Sequence, residues 1–170
     1  MHCLRQLPPL CYNDGTKEGV VFWVDETGKH GKIVSLAHAT LPWCTEAQYD
    51  KKIAVGATSK TDGKANTDKV MARADSREYT AFVWCRNMGK SWYLPAIEEL
   101  KLLLLDDAVY NAVNKTLESR GYIKIFYSVA ISHWSSTESN KFGAWYADNQ
   151  SGNYTKQRYV DCTVRAVAQF

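Results

Sequence analysis

Five cysteines, at positions 3, 11, 44, 85 and 162 of a 170-residue chain, form no C-x-x-C pair and no metal-like spacing. Their odd number argues against a complete disulfide framework. It leaves room for one bridge, such as Cys44 to Cys85, and favours reduced thiols that behave as small buried hydrophobes. There is no basic run. The 21 Lys and Arg are dispersed among 18 Asp and Glu for a net charge of +3, so the basic stripe of a nucleic-acid partner is missing. Long apolar runs are missing too. The most obvious, Leu102-Leu103-Leu104-Leu105, falls far short of the ~20 residues that span a bilayer, and no membrane span is expected. The start, Met1 to Leu10, is interrupted by Pro8 and Pro9 and does not read as a secretory signal. Either the protein is not exported by that route or the chain is a fragment of a longer one.

What is present is an ordinary globular composition, 45% hydrophobic and 23% charged, of a length suited to one domain. Six Trp and ten Tyr are the unusual part. Aromatics are favoured in packed cores and at interfaces alike, so composition does not separate the two.

The first eleven residues lack periodicity and read as an extension or linker, with a domain over residues 12–170. Gly19 to Val24 and Gly31 to Leu36, around a turn containing Gly28, predict a β-hairpin. Leu41-Pro42-Trp43-Cys44 reads as a packed loop. Asp62, Asn66 and Asp68 invite a calcium loop, but the EF-hand pattern fails at Thr67 and Arg73. A solvated loop and a helix over about 67–74, capped by Asn66 or Thr67, is the better reading. Further helices are expected over 79–86, from Pro95 onward with Glu98 and Glu99 in its first turn, and over 108–119 before Gly121. Beyond Gly121 come short β-like runs at 122–126, 130–135, 143–147 and 163–170. Strands, then helices, then strands indicate an α+β fold.

Several motifs occur in order: Asp62-Gly63-Lys64-Ala65-Asn66-Thr67, Trp84-Cys85-Arg86-Asn87, Trp92-Tyr93-Leu94-Pro95-Ala96 with Glu98-Glu99-Leu100, Trp134-Ser135-Ser136-Thr137-Glu138, Ala144-Trp145-Tyr146 and Val164-Arg165-Ala166-Val167. Together they resemble the C-type-lectin-fold domains of gut bacteria and their phages, the group that includes the variable proteins of diversity-generating retroelements. The resemblance covers residues 12–170. It implies a C-type lectin fold with two main helices on irregular antiparallel sheets, a ligand surface near the C-terminus, and residence on a phage tail or bacterial cell surface.

In the retroelement-diversified members, copying errors at adenines turn asparagine codons into a broad set of residues, but never into Trp, Lys, Glu, Gln or Met. On that logic Trp134, Glu138 and Trp145 belong to the scaffold, with Arg165 through its place in the matching motif. The candidate variable, ligand-binding positions are Ser132, His133, Ser139, Asn140, Phe142, Gly143, Tyr146, Asp148, Asn149, Ser151, Asn153, Tyr154, Tyr159 and Asp161. Such Tyr-, Ser- and Asn-rich surfaces combine large contact area with adaptable hydrogen bonding. Strand alternation would send Trp145 to one face and Tyr146 and Asp148 to the other. The expected partner is a cell-surface protein or glycan, bound without cofactor or metal, with presentation in several copies adding avidity.

Other chemistry fits less well. The Glu-Pro-Asn or Gln-Pro-Asp loop of calcium-dependent sugar binding is missing, as is its Trp-Asn-Asp strand. Cys162 has no partner cysteine nearby in sequence for the oxidative chemistry of formylglycine-generating enzymes, which share a related fold. A serine hydrolase assembled from His133, Ser135 or Ser136, and Glu138 lacks a Gly-x-Ser-x-Gly elbow. Glu138 is better read as an acceptor that holds the following loop, and Trp84, Trp92, Trp134 and Trp145 as core residues. No catalysis is expected.

Overall fold

A computed structural model describes residues 11–126, 128, 130–148 and 154–170. These residues form five α-helices and two five-stranded sheets. The first sheet orders its strands β1 (Cys11–Asn13), β2 (Glu18–Val24), β3 (Gly31–Ser35), β10 (Val167–Gln169) and β5 (Trp92–Tyr93). The second runs β4 (Ala39–Pro42), β9 (Asp161–Val164), β6 (His133–Glu138), β7 (Gly143–Ala147) and β8 (Tyr154–Gln157). Pairing is antiparallel except between β6 and β9, which meet in parallel at His133 and Thr163.

The hairpin of β2 and β3 forms as expected, its turn closed at Gly28 with φ 70°. The first strand reaches back to Cys11, inside the stretch read as an extension, because its backbone pairs with β2. Leu41 and Pro42, read as part of a loop over 41–44, belong instead to the edge strand β4. Pro42 is tolerated there because an edge has no second neighbour to receive its missing N–H. The run at 163–170 divides into β9 and β10, which belong to different sheets, and Arg165 and Ala166 make the crossing.

The helices are α1 (Glu46–Asp50), α2 (Gly63–Met71), α3 (Thr80–Asn87), α4 (Ile97–Leu105) and α5 (Asp107–Ser119). α2 starts earlier than its sequence pattern suggests, capped by Asp62, whose carboxylate accepts from Ala65 N at 2.8 Å. Asn66 and Thr67 are not caps. Both point inward: the Asn66 amide joins Ser59 to Ser136, and Thr67 Oγ1 accepts from Leu94 N. At the start of α4, Ala96 has no capping side chain. Thr137 Oγ1 accepts from Ile97 N at 3.0 Å, and Glu99 reaches back to Ala96 N at 2.8 Å and across to Gly63 N at 3.1 Å. The other Glu99 oxygen binds Lys32 and Tyr93.

Residues 122–126 do not form a strand. Side chains replace the missing sheet partner: the Asn114 amide pairs with both backbone groups of Ile125, Tyr110 donates to Ile125 O, and Arg165 donates to Ile123 O. Two apolar clusters fill the molecule. One gathers Trp43, Trp92, Trp134, Phe82 and Tyr79 around α2 and α3. The other gathers Leu100, Leu103, Leu104, Val113 and Leu117 of α4 and α5 against Val20, Phe22 and Val34. Trp84 and Trp145 are only half-buried, packed against the first and second cluster respectively.

Candidate functional site

The C-terminal segment is built on β6. β6 is an inner strand, between β9 and β7, and all six of its residues are buried. Trp134 is fully enclosed, with its indole N–H donating to Val160 O at 3.2 Å. At the far end Glu138 accepts from Val55 N at 2.9 Å, Gly56 N at 2.8 Å and Arg158 Nη1 at 3.0 Å. The backbone that it chiefly holds is therefore the 53–57 loop, some eighty positions earlier, rather than the loop that follows it.

Arg158, which drew no attention in the sequence, completes this knot. It is 0% exposed, donates to Ile53 O and Lys141 O as well as to Glu138, and lies over the Trp43 ring at 5.1 Å. Three surface segments, at 53–57, 138–142 and 158–160, are thereby tied to one buried ion pair. Nothing around Gln157-Arg158-Tyr159 signals this, because the partners are distant in sequence.

Above the knot sits a cluster of aromatics. Tyr49 of α1 meets Tyr159 edge-on with ring centroids 4.7 Å apart and approaches Phe142 at 6.2 Å. Phe142 and Tyr159 are exposed, Lys141 lies over the Phe142 ring, and Asn140 and Asp161 are also exposed. Ser139 and Tyr146 are half-buried. Asn140 shapes the loop by accepting from the backbone N–H groups of Phe142 and Gly143.

Four of the proposed ligand-binding positions are not surface positions. Ser132, His133 and Asp148 are buried, and Gly143 is buried with Ser139 Oγ only 2.8 Å from where a Cβ would stand. Alternation along β7 holds, but both of its faces meet core: Trp145 and Ala147 pack on one cluster, Ala144 and Tyr146 on the other. Core and surface are thus not separated by strand face alone. Asn149, Ser151 and Asn153 lie outside the described residues, as does the side chain of Tyr154.

The groups considered for hydrolysis do not converge. Ser135 Oγ donates to Trp145 O, Ser136 Oγ accepts from the Asn66 amide, and no hydrogen bond links either serine to His133 or Glu138. Ser132 does lie between two chemically interesting neighbours. It accepts from Lys156 Nζ at 2.6 Å and sits 3.4 Å from Cys162 Sγ, while Lys156 also covers the Tyr146 ring at 4.5 Å. Cys11, Cys44, Cys85 and Cys162 are free thiols, so neither Cys44 nor Cys162 is bridged to Cys85. Burial pushes the Cys44 thiol up to about 11.

At the opposite end of β6, His133 and Arg165 lie beside a cleft of about 250 Å³. Arg165 donates to Ser35 O, Leu36 O and Ile123 O and has no carboxylate partner among the described residues. Burial lowers its pKa to about 10. Burial, then the charges of Arg165 and His38, lower that of His133 to about 3, and its Nδ1 has no hydrogen-bond partner.

No protein-family model and no curated protein sequence matches the chain. Among solved structures, a fimbrial protein from Bacteroides ovatus ATCC 8483 matches with a TM-score of 0.65 at 18% identity, over 89% of this chain and 44% of that one. The likeness is one of fold. The chain spans less than half the length of that protein.

Proposed function

We propose that the chain is a non-catalytic recognition module with a C-type lectin fold, whose surface around Asn140, Phe142, Tyr159 and Asp161 binds a protein or glycan on a cell surface. The observation that carries this reading is the exposed aromatic cluster of Phe142 and Tyr159 on Tyr49, seated on the buried Glu138–Arg158 pair. Rigid aromatic anchors present large contact area at little entropic cost, and the buried pair keeps the loops that bear them in place. A fimbrial fold neighbour is compatible with display on a bacterial surface. The proposal includes diversification of this surface by a retroelement, with Tyr146 and Ser139 at its margin.

A fixed-specificity adhesin domain of the same fold is the second reading. It is favoured by the burial of Ser132, His133, Gly143 and Asp148, which restricts what those positions accept. Genomic sequence separates the two. A near-repeat of the 3′ end of the gene, differing at adenines and lying beside a reverse transcriptase, supports diversification; its absence leaves the fixed adhesin. Recognition itself is tested by displaying a library varied at Asn140, Phe142, Tyr146, Tyr159 and Asp161 and selecting on intact bacterial envelopes. Enriched binders that keep the parental unfolding midpoint support the proposal. A library in which most members fail to fold refutes it.

A further inference from the structure

The cleft beside His133 is built differently from the aromatic surface. The two ends of β6, marked by His133 and Glu138, are roughly 15 Å apart by strand rise, so the cleft and the aromatic cluster are separate features. Its floor combines Arg165 and His133 with the hydroxyl-bearing Thr40 and Thr163. Its rim is apolar. Ile123, Phe126 and Ile131 are 59%, 52% and 41% exposed, an unusual degree for large apolar side chains gathered around one depression.

The electrostatics are one-sided. Among the described residues no Asp or Glu lines the cleft, and Lys124, the other cation at its edge, is already paired with Glu118 at 3.0 Å. Arg165 is 3% exposed, and its three acceptors are backbone carbonyls. Among the described residues its Nε–H and one Nη2 hydrogen have no acceptor, so the guanidinium keeps both a net charge and donors for an incoming group. His133, 2% exposed, contributes a ring whose Nδ1 is buried and unpartnered.

We infer that this cleft binds a carboxylate on an apolar body, namely the free C-terminus of a peptide whose last side chain is apolar. Arg165 provides the counter-charge and the charge-assisted hydrogen bonds, for which a planar guanidinium suits a carboxylate well. His133, whose Nδ1 is enclosed, meets the carboxylate in the tautomer that donates from Nε2. Phe126 and Ile131 cover the terminal side chain. An acidic sugar offers the same carboxylate but a body covered in hydroxyls, which this rim has few groups to meet.

The test uses the full chain labelled with ¹⁵N-histidine and three probes: acetyl-Ala-Leu as the free acid, the same dipeptide as its C-terminal amide, and glucuronate. The acid is expected to move the His133 ring-nitrogen resonances and to bind at least about tenfold more tightly than the amide, the value of one charge-assisted hydrogen bond. Arg165→Lys loses the bonds to three carbonyls and so risks the fold. Phe126→Ser and His133→Gln serve instead, the first at an exposed position, each weakening the acid about five- to tenfold with the unfolding midpoint monitored alongside. Equal binding of acid and amide, or binding that leaves the His133 resonances in place, overturns the inference. Glucuronate binding more tightly than the peptide acid overturns the choice of ligand. None of these outcomes depends on the aromatic surface, so recognition there stands or falls separately.

Discussion

Removing the Glu138 carboxylate should be among the most damaging single changes in the molecule. In Glu138→Ala, the Arg158 guanidinium stays fully buried without a counter-charge, and the backbone N–H groups of Val55 and Gly56 lose the acceptor they share. Breaking one side of a buried ion pair costs about 3–5 kcal/mol. Each orphaned buried N–H adds on the order of 1–3 kcal/mol unless water or local movement relieves it. Relief is available at Gly56, which is only half-buried, so the lower part of the combined range is expected, about 4 kcal/mol. At ~2–4 °C per kcal/mol for a chain of this length, the midpoint of thermal unfolding falls by about 8–16 °C. Urea unfolding followed by tryptophan fluorescence measures it directly. A cycle with Arg158→Met should show coupling above about 1 kcal/mol, because the two side chains act as a pair. A loss below about 1 kcal/mol for Glu138→Ala, or simple additivity in the cycle, refutes the reading of this pair as the base of the surface.

Other expectations follow from the same geometry. Phe142→Ser and Tyr159→Ser should shift stability by less than about 1 kcal/mol, as expected of exposed positions, whereas Gly143→Tyr should unfold the chain or cost several times more, because a Cβ at this buried site stands 2.8 Å from Ser139 Oγ and 3.3 Å from Lys156 O before any ring is added; chemical denaturation of the three variants decides. His133, whose pKa falls from 6.5 to about 3 on folding, is held neutral in the native state. The unfolded chain binds the extra proton, so the stability associated with this group is complete above pH 6.5 and declines as pH falls toward 3. Between pH 7 and 4 the protein should lose on the order of 3 kcal/mol more than His133→Gln does, measured by urea titration at each pH. Burial raises the thiols of Cys44, Cys85 and Cys162. In a Cys3→Ser, Cys11→Ser background a thiol reagent should therefore label nothing until denaturant is added; rapid labelling of the native protein contradicts their placement.

How far the sequence could be read depended on whether a residue's partner lay nearby in the chain. The β2–β3 hairpin was legible from two apolar runs around Gly28, and α4 from Pro95 with Glu98 and Glu99 behind it. α2 was misplaced because Asn66 and Thr67 have the chemistry of caps, but their side chains were committed to Ser59, Ser136 and Leu94 in tertiary contacts. Residues 122–126 have a strand's composition, yet Asn114, Tyr110 and Arg165 satisfy part of their backbone in place of a neighbouring strand. Ser132 and His133 have the chemistry of a ligand surface, yet both are buried, because β6 is an inner strand whose faces are covered by neighbouring elements.

What the sequence by itself determined is the segregated order of strand-forming and helix-forming segments and the α+β class that follows from it. Periodicity and turn residues carry that information locally. Tertiary structure alone decided which polar residues face water, that Arg158 joins Glu138, and that Arg165 and His133 meet at one cleft. Those outcomes depend on the order and crossing of strands, which bring together groups far apart in the chain and leave no local trace.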